Sequence, residues 1–213
     1  MYAYQGRQIG PNALAANSCK IEIDLCEKPI GKQDQYAAVY GGINEIKFYP
    51  NEDVEVLNIY LNQEERITLD SNLLLFYTGI TRKSSNILSK QKKETKNKKN
   101  VLTLMKDQVH VLRNSLEEKN FDSLGIILHE AWNLKRKLVD SISNIKIDKM
   151  YKLAKDAGAL GGKISGAGGG GFLLLYVPRN YQVSVRRALE GYVELPFSIT
   201  PYGSRIIFNI EKG

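Results

Sequence analysis

Apolar residues recur at helical spacing along much of the chain. Between residues 101 and 119 they stand alternately three and four positions apart, which predicts an amphipathic helix. The positions are Leu102, Met105, Val109, Leu112 and Leu116. By the same reasoning we expect helices over about 11–26, from about 81 into a lysine-rich stretch, from about 121 to 138, and over about 147–157 and 180–192. Residues 1–4 resemble the end of another helix, and 27–42 a loop or short helical region.

Short apolar runs predict β-strands between these helices. Residues 73–77 are continuously apolar and stop at Thr78-Gly79, as in a buried strand. Further strands are expected over 46–49, 54–61, 159–165, 171–177, 193–200 and 204–210. This mixture predicts an α+β fold without internal repeats. A polar cluster at 68–72 suggests two domains, 1–70 and 71–213.

Composition narrows the class of protein without choosing a function. The 213 residues are 43% apolar and 25% charged, as in an average soluble globular protein. No apolar run approaches the roughly 20 residues of a membrane helix, and the first residues do not resemble a signal peptide. We therefore expect a cytoplasmic protein without a membrane partner.

The net charge of +7 is concentrated in one stretch. Six lysines fall within ten residues: Lys90, Lys92, Lys93, Lys96, Lys98 and Lys99. Such a run could attract the phosphates of a nucleic acid. Because no aromatic residue interleaves the lysines to stack on bases, a solvated connection between helices is the favoured interpretation.

Eight glycines lie between Gly158 and Gly171. Gly166, Gly168 and Gly171 match the G-x-G-x-x-G spacing, but a dinucleotide site requires a helix after the glycines, and the apolar run after Gly171 predicts a strand. No Gly-Lys-Ser/Thr ending is present, which excludes a Walker P-loop. We expect a glycine hairpin between two strands, with a linker or a sheet bulge as the alternative.

A carboxylate and a lysine adjoin in the segment Gly31-Lys32-Gln33-Asp34-Gln35, after the first predicted helix. An aspartate in such a loop can accept a proton from a hydroxyl or orient it toward a phosphate, as phosphoryl transfer requires. On composition alone, a surface turn is the simpler interpretation.

Together, these segments resemble the GHMP small-molecule kinases. The aspartate segment, with Glu22 twelve residues earlier, is similar to their catalytic region, and 163–172 to their third conserved motif. Two further segments, 78–85 and 129–135, resemble the D-glycero-D-manno-heptose 7-phosphate kinases within this superfamily. The resemblance implies an N-terminal α/β domain like that of ribosomal protein S5, here incomplete, and a ferredoxin-like C-terminal α+β domain.

The resemblance also implies roles for individual residues, with ATP and Mg²⁺ as cofactors. Asp34 would be the catalytic aspartate and Glu22 a magnesium ligand. The sugar phosphate would be contacted by Lys32, Gln33, Arg82, Trp132 and Lys135. The hairpin would line the nucleotide phosphates through Ser165, Gly166, Ala167, Gly168, Gly169 and Gly170. For Arg82 a surface position at a helix start is the alternative, and for Trp132 it is core packing.

The superfamily's Pro-x-x-x-Gly-Leu-Gly-Ser-Ser loop, which holds ATP at a helix N-terminus, has no match in the sequence. We therefore expect a truncated kinase, inactive by itself, which forms a homodimer or pairs with the missing segment. The complete enzyme would phosphorylate the anomeric hydroxyl of heptose 7-phosphate to the 1,7-bisphosphate. The alternatives are a non-catalytic sugar-phosphate-binding or regulatory module and a nucleic-acid-binding protein.

Overall fold

The computed structural model describes residues 2–82 and 84–207. The chain divides into two compact units, 1–60 together with 199–213, and 61–198. The sequence-based division at residue 70 falls inside a helix of the second unit, whereas the first unit ends at Tyr60. The assignment of 1–70 and 71–213 to two kinase domains stays a prediction.

The described residues of the first unit form two α-helices and a β-hairpin. Helix α1 spans Pro11–Cys19 and continues as a π-helix over Lys20–Leu25, so the predicted helix is confirmed. The other elements are α2 (Gln33–Tyr40), β1 (Asn44–Phe48) and β2 (Val54–Asn58), and the two strands pair antiparallel. Near the N-terminus, Ala3–Gln5 form one 3₁₀ turn, and Met1 lies outside the described residues.

A small core joins α1 to α2. Ala15 and Cys19 of the first helix pack with Tyr36 and Val39 of the second, and all four side chains are buried. Because Gly203 has no side chain, its backbone lies against the carbonyl of Val39.

The prediction of a strand over 204–210 is wrong for residues 204–207, the part of it that the structure describes. The N–H of Ser204 donates to the carbonyls of Ala38 and Val39, near the end of α2, and residues 204–207 pair with no strand. Residues 208–210 lie outside the described part of the chain.

The second unit has six helices and four strands among its described residues. In chain order they are α3 (Gln63–Ser71), β3 (Leu73–Tyr77), α4 (Ser84–Glu94), α5 (Lys99–Glu117), α6 (Asp122–Arg136), α7 (Ile145–Asp156), β4 (Gly161–Ile164), β5 (Phe172–Tyr176), α8 (Gln182–Ala188) and β6 (Val193–Glu194). The four strands form one antiparallel sheet in the order β4-β5-β3-β6. The connectivity strand–helices–strand–strand–helix–strand is that of a ferredoxin-like fold, which confirms the α+β prediction.

Two elements of this unit differ from the sequence-based expectation. Helix α3 was not predicted, although Asn62 and Glu65 form a reciprocal capping box at its start. The predicted strand over 193–200 is limited to β6, because Pro196 lacks the N–H that a ladder requires.

Helix α6 lies directly on strand β4. A Cβ atom placed on Gly161 would lie 1.9 Å from the carbonyl oxygen of Gly125, so the backbones of strand and helix are in direct contact. The core beside this contact includes Trp132, Ile164 and Met150, all at most 1% exposed. Among the described residues, no helix combines the length and apolar character that a bilayer crossing requires.

Candidate active site

Asp34 occupies the first turn of α2 in the first unit, and its side chain is exposed. Lys32 precedes this helix and forms an ion pair with Glu52, whose hydrogen bond raises the pKa of the lysine. Because the pair is largely exposed, it adds little to stability, and Lys32 can exchange Glu52 for another anion. Gln33 is exposed beside Asp34.

Glu22 lies on the π-helix that follows α1. Its Oε2 accepts a hydrogen bond of 2.6 Å from Nε2 of Gln35, the residue after Asp34. Gln35 is buried, and its Oε1 has no partner in the part of the chain that is described. The eleven residues between Glu22 and Asp34 are thus folded so that both carboxylates belong to one α1–α2 layer.

The acidic residues suit a magnesium ion only in a shared site. No group of three or more His, Cys, Asp or Glu side chains that could hold a metal occurs among the described residues. Mg²⁺ is commonly held by one or two protein carboxylates together with substrate phosphates and water. The Glu22 side chain is exposed and, among the described residues, is hydrogen-bonded only through Oε2, so it suits the role of such a ligand.

The glycine segment forms the predicted hairpin in the second unit. β4 and β5 pair antiparallel, and residues 165–171 connect them. Three N–H groups of this connection donate within the fold: Ser165 to Phe172, Gly169 to Ile142 and Gly171 to Ile80.

The hairpin tip differs from its base. Within the described residues, the N–H groups of Gly166, Ala167 and Gly168 donate to no acceptor. Gly166 and Gly168 have φ angles of 71° and 100°, which a glycine adopts without strain. Successive free N–H groups in such a turn form a concave site for an anion.

Two half-buried lysines lie near this tip. Nζ of Lys135, on α6, donates to the carbonyl oxygen of Gly166 at 2.5 Å. Burial and the neighbouring Lys163 lower the pKa of Lys135 to about 8, and burial also lowers the pKa of Lys163. Neither amine forms an ion pair with a carboxylate of the described residues. Two partly desolvated cations without a counter-ion favour an anionic ligand.

Lys163 was not among the predicted site residues. The available signal was a lysine inside a glycine-rich segment. Lys163 belongs to the site because β4 packs against α6 in a register that places it near Lys135, 28 positions earlier in the chain.

Arg82 and Trp132 occupy different environments in the second unit. Arg82 lies before α4, and its Cδ would be 3.3 Å from a Cβ atom on Gly169, so it borders the hairpin. Trp132 is fully buried and packs near Tyr151, as the core-packing alternative expects. Its contact with a substrate stays a prediction.

The lysine-rich stretch spans the end of α4, a turn and the start of α5. It thus connects two helices, as the favoured interpretation expects. Most of its lysines are exposed.

A family model described as "GHMP kinases C terminal" matches residues 112–194, which include α6, α7 and the glycine hairpin. The D-glycero-alpha-D-manno-heptose 7-phosphate kinase of Campylobacter jejuni is 34% identical over 178 residues, 81% of this chain and 52% of that protein. Residues 112–194 are thus a GHMP kinase C-terminal domain. The chain spans about half the length of this curated relative.

Solved structures agree with the GHMP kinase fold. A candidate sugar kinase from Campylobacter jejuni superposes with a TM-score of 0.68 at 28% identity, covering 94% of this chain and 58% of that one. A Bacteroides thetaiotaomicron protein described as a D-glycero-D-manno-heptose 1-phosphate kinase gives a TM-score of 0.64 at 24% identity, covering 94% and 56%. The second likeness supports the fold alone.

Proposed function

We propose that this GHMP kinase chain serves the ATP-dependent phosphorylation of a sugar phosphate at its anomeric hydroxyl, with heptose 7-phosphate as substrate and the 1,7-bisphosphate as product. The observation that carries the proposal is the candidate anion site at the hairpin tip. There, three N–H groups have no acceptor among the described residues, and Nζ of Lys135, which has no carboxylate partner among those residues, donates to the carbonyl oxygen of Gly166. The similarity to the C. jejuni heptose 7-phosphate kinase supports the choice of sugar.

Each part of the site has a distinct role under this proposal. Asp34, exposed at the start of α2, accepts the proton of the attacking hydroxyl. The hairpin tip, Lys135 and Lys163 stabilise charge on the phosphoryl oxygens. Glu22 would hold Mg²⁺, which neutralises phosphate charge when it is bound. The proposal requires Asp34 and the hairpin to act on the same substrate, which stays a prediction.

Half of the relative lies outside the match, so the experiment should supply that half. We suggest a chimera in which the part of the C. jejuni kinase outside the matched region is joined to this chain. A coupled assay would follow ATP consumption with heptose 7-phosphate, and ³¹P NMR would identify the bisphosphate. We expect turnover by the chimera. We expect none by the 213-residue chain alone, because the glycine hairpin by itself would bind ATP too weakly.

The catalytic role of Asp34 has a matched control in Asp24, an exposed aspartate on the π-helix. We expect Asp34→Asn to lower kcat of the chimera by about 10²–10⁴-fold, the usual contribution of a general base, while Asp24→Asn changes it less than about twofold. Equal activity of both variants would refute the assignment.

A non-catalytic sugar-phosphate-binding or regulatory module is the second candidate. Such a module would bind heptose 7-phosphate with the same affinity before and after Asp34→Asn, and the chimera would not turn over. Analytical ultracentrifugation would test the expected homodimer or pairing with a further segment.

A further inference from the structure

A cavity of about 230 Å³ borders the glycine hairpin in the second unit. Its lining residues come from the segment before α4, from α4 itself and from the segment before α7: Arg82, Asn86, Ile87, Lys90 and Ser141. A water molecule takes up about 30 Å³ in the liquid, so the volume admits roughly seven waters or one phosphate with part of a sugar.

The described lining residues are cationic and include no carboxylate. Arg82 and Lys90 supply two positive charges, and Asn86 adds an amide that can donate. An arginine fork matches the geometry of phosphate oxygens, and an ammonium group adds a point charge. A phosphomonoester carries a charge of about −1.5 to −2 at neutral pH, which complements this lining.

An adjacent, larger cavity has a mixed character. It shares Lys90 and Ser141 with the smaller cavity, and its other charged lining residues include both signs: Lys93, Lys98, Lys137, Glu94 and Asp140. The two carboxylates make it a poorer site for a dianion. Of these two cavities, only the smaller one has positive charges without carboxylates among its described lining residues.

Ser141 provides an independent indication of a missing partner. Its Oγ is buried and forms no hydrogen bond within the described residues. A buried hydroxyl without a partner costs about 1–3 kcal/mol, so its retention calls for an explanation. A phosphate oxygen in the cavity would accept a hydrogen bond from this hydroxyl after a change of its χ1 rotamer.

The backbone of Gly169 connects the cavity to the hairpin. A Cβ atom there would lie 2.5 Å from Cδ1 of Ile87, 3.0 Å from the carbonyl oxygen of Ser141 and 3.3 Å from Cδ of Arg82. Three of the five lining residues thus converge on one glycine, whose φ of 76° also disfavours any side chain. The hairpin that offers free N–H groups at its tip therefore also packs against residues that line this cavity.

We propose that this cavity binds the phosphomonoester that the acceptor sugar already carries, with Arg82, Asn86, Lys90 and Ser141 as its ligands. The inference deepens the proposed function and rests on it for the identity of the sugar. It makes these residues the determinants that select a phosphorylated over a neutral sugar.

Isothermal titration calorimetry with the 213-residue chain tests the site without requiring turnover. The probes are heptose 7-phosphate, the dephosphorylated heptose and inorganic phosphate. Lys90→Gln is the test variant, and Lys93→Gln is its control, because Lys93 lies on the same helix but lines only the neighbouring cavity. We expect Lys90→Gln to weaken heptose 7-phosphate about tenfold and Lys93→Gln less than twofold, with no effect of either on the neutral sugar.

Ser141→Ala separates a ligand role from a structural one. Because the hydroxyl has no hydrogen-bond partner among the described residues, we expect its removal to leave the stability toward urea unchanged or higher, and to weaken heptose 7-phosphate binding by about threefold to tenfold. Lost stability with unchanged affinity would contradict the role of Ser141.

The outcomes distinguish this inference from the proposed function. Equal losses of heptose 7-phosphate affinity in Lys90→Gln and Lys93→Gln would overturn the cavity site in favour of a diffuse polyanion surface. The same conclusion would follow if a single-stranded RNA bound more tightly than heptose 7-phosphate and both variants weakened it equally. A different result would support the cavity site but refute the heptose kinase proposal. In it, inorganic phosphate and phosphorylated sugars in general bind in a way that depends on Lys90, while the chimera is inactive.

Discussion

The contact between β4 and α6 gives the sharpest prediction of stability. In Gly161→Ala, the new Cβ would lie 1.9 Å from the carbonyl oxygen of Gly125, and 2.8 Å and 2.9 Å from the backbone N and the Cβ of His129. The two nearest of these atoms are backbone, which cannot rotate away. Restoring an ordinary contact of 3.4 Å requires strand and helix to separate by about 1.5 Å, which also loosens the buried side chains between them.

The expected magnitude follows from this geometry. Overpacking of a core typically costs about 1–3 kcal/mol, and a clash between two backbones lies at or beyond the upper end. We therefore expect Gly161→Ala to lower the free energy of unfolding by about 3 kcal/mol or more. Gly191→Ala is the matched control in the same unit: its Cβ would meet nothing within 4 Å, but its φ is 94°. Backbone strain alone predicts a loss of about 1–2 kcal/mol there.

Equilibrium urea unfolding of the full chain can measure both losses. Trp132 is the chain's only tryptophan, and it is fully buried in the second unit, so its fluorescence reports the unfolding of that unit. A loss below about 1 kcal/mol for Gly161→Ala, or one no larger than that of Gly191→Ala, would refute the close-approach explanation of this glycine.

Two further predictions concern the same unit. NMR of the lysine-labelled chain should show Lys135 Nζ titrating near pH 8, with Lys135→Arg to assign the signal. Because the native state loses this proton at a lower pH than the unfolded state does, the contribution of Lys135 makes the free energy of unfolding rise between about pH 8 and 10.5. A titration midpoint above 10 would contradict the burial of the amine. Asn62→Ala should cost about 1 kcal/mol in the Trp132 urea transition because it removes the capping box of α3, and Asn62→Ser should restore most of the loss; an unchanged transition in Asn62→Ala would show that the cap adds nothing.

Local sequence signals predicted the elements that carry one strong pattern. The continuous apolar run at 73–77 coincides with β3, and the 3-and-4 spacing between 102 and 116 falls within α5. The glycine hairpin was also predictable, because an apolar strand, and not a helix, follows Gly171. In each case the feature depends on neighbours within a few residues.

Elements and contacts that depend on distant residues were not predictable. Helix α3 has one fully buried apolar position, Leu69, so its periodicity is weak and its capping box is the only clear signal. The nearness of Lys135 and Lys163 requires the register between a helix and a strand. The cavity beside Gly169 joins segments that are about 60 residues apart, at Arg82 and Ser141.

The glycine-rich segment shows why composition and geometry must be considered together. Gly161 allows β4 to lie against α6, Gly166 and Gly168 give the tip its left-handed turns and free N–H groups, and Gly169 admits the residues around the cavity. Flexibility is not what these positions share, since the N–H of Gly169 is fixed by the carbonyl of Ile142 at 2.7 Å. Each glycine instead removes a side chain where backbone must meet backbone, another side chain or, under the proposed function, an anion. Because a Cβ atom on Gly169 would displace residues that line the cavity as well as the turn itself, we expect Gly169→Ala to weaken both a ligand at the tip and a ligand in the cavity.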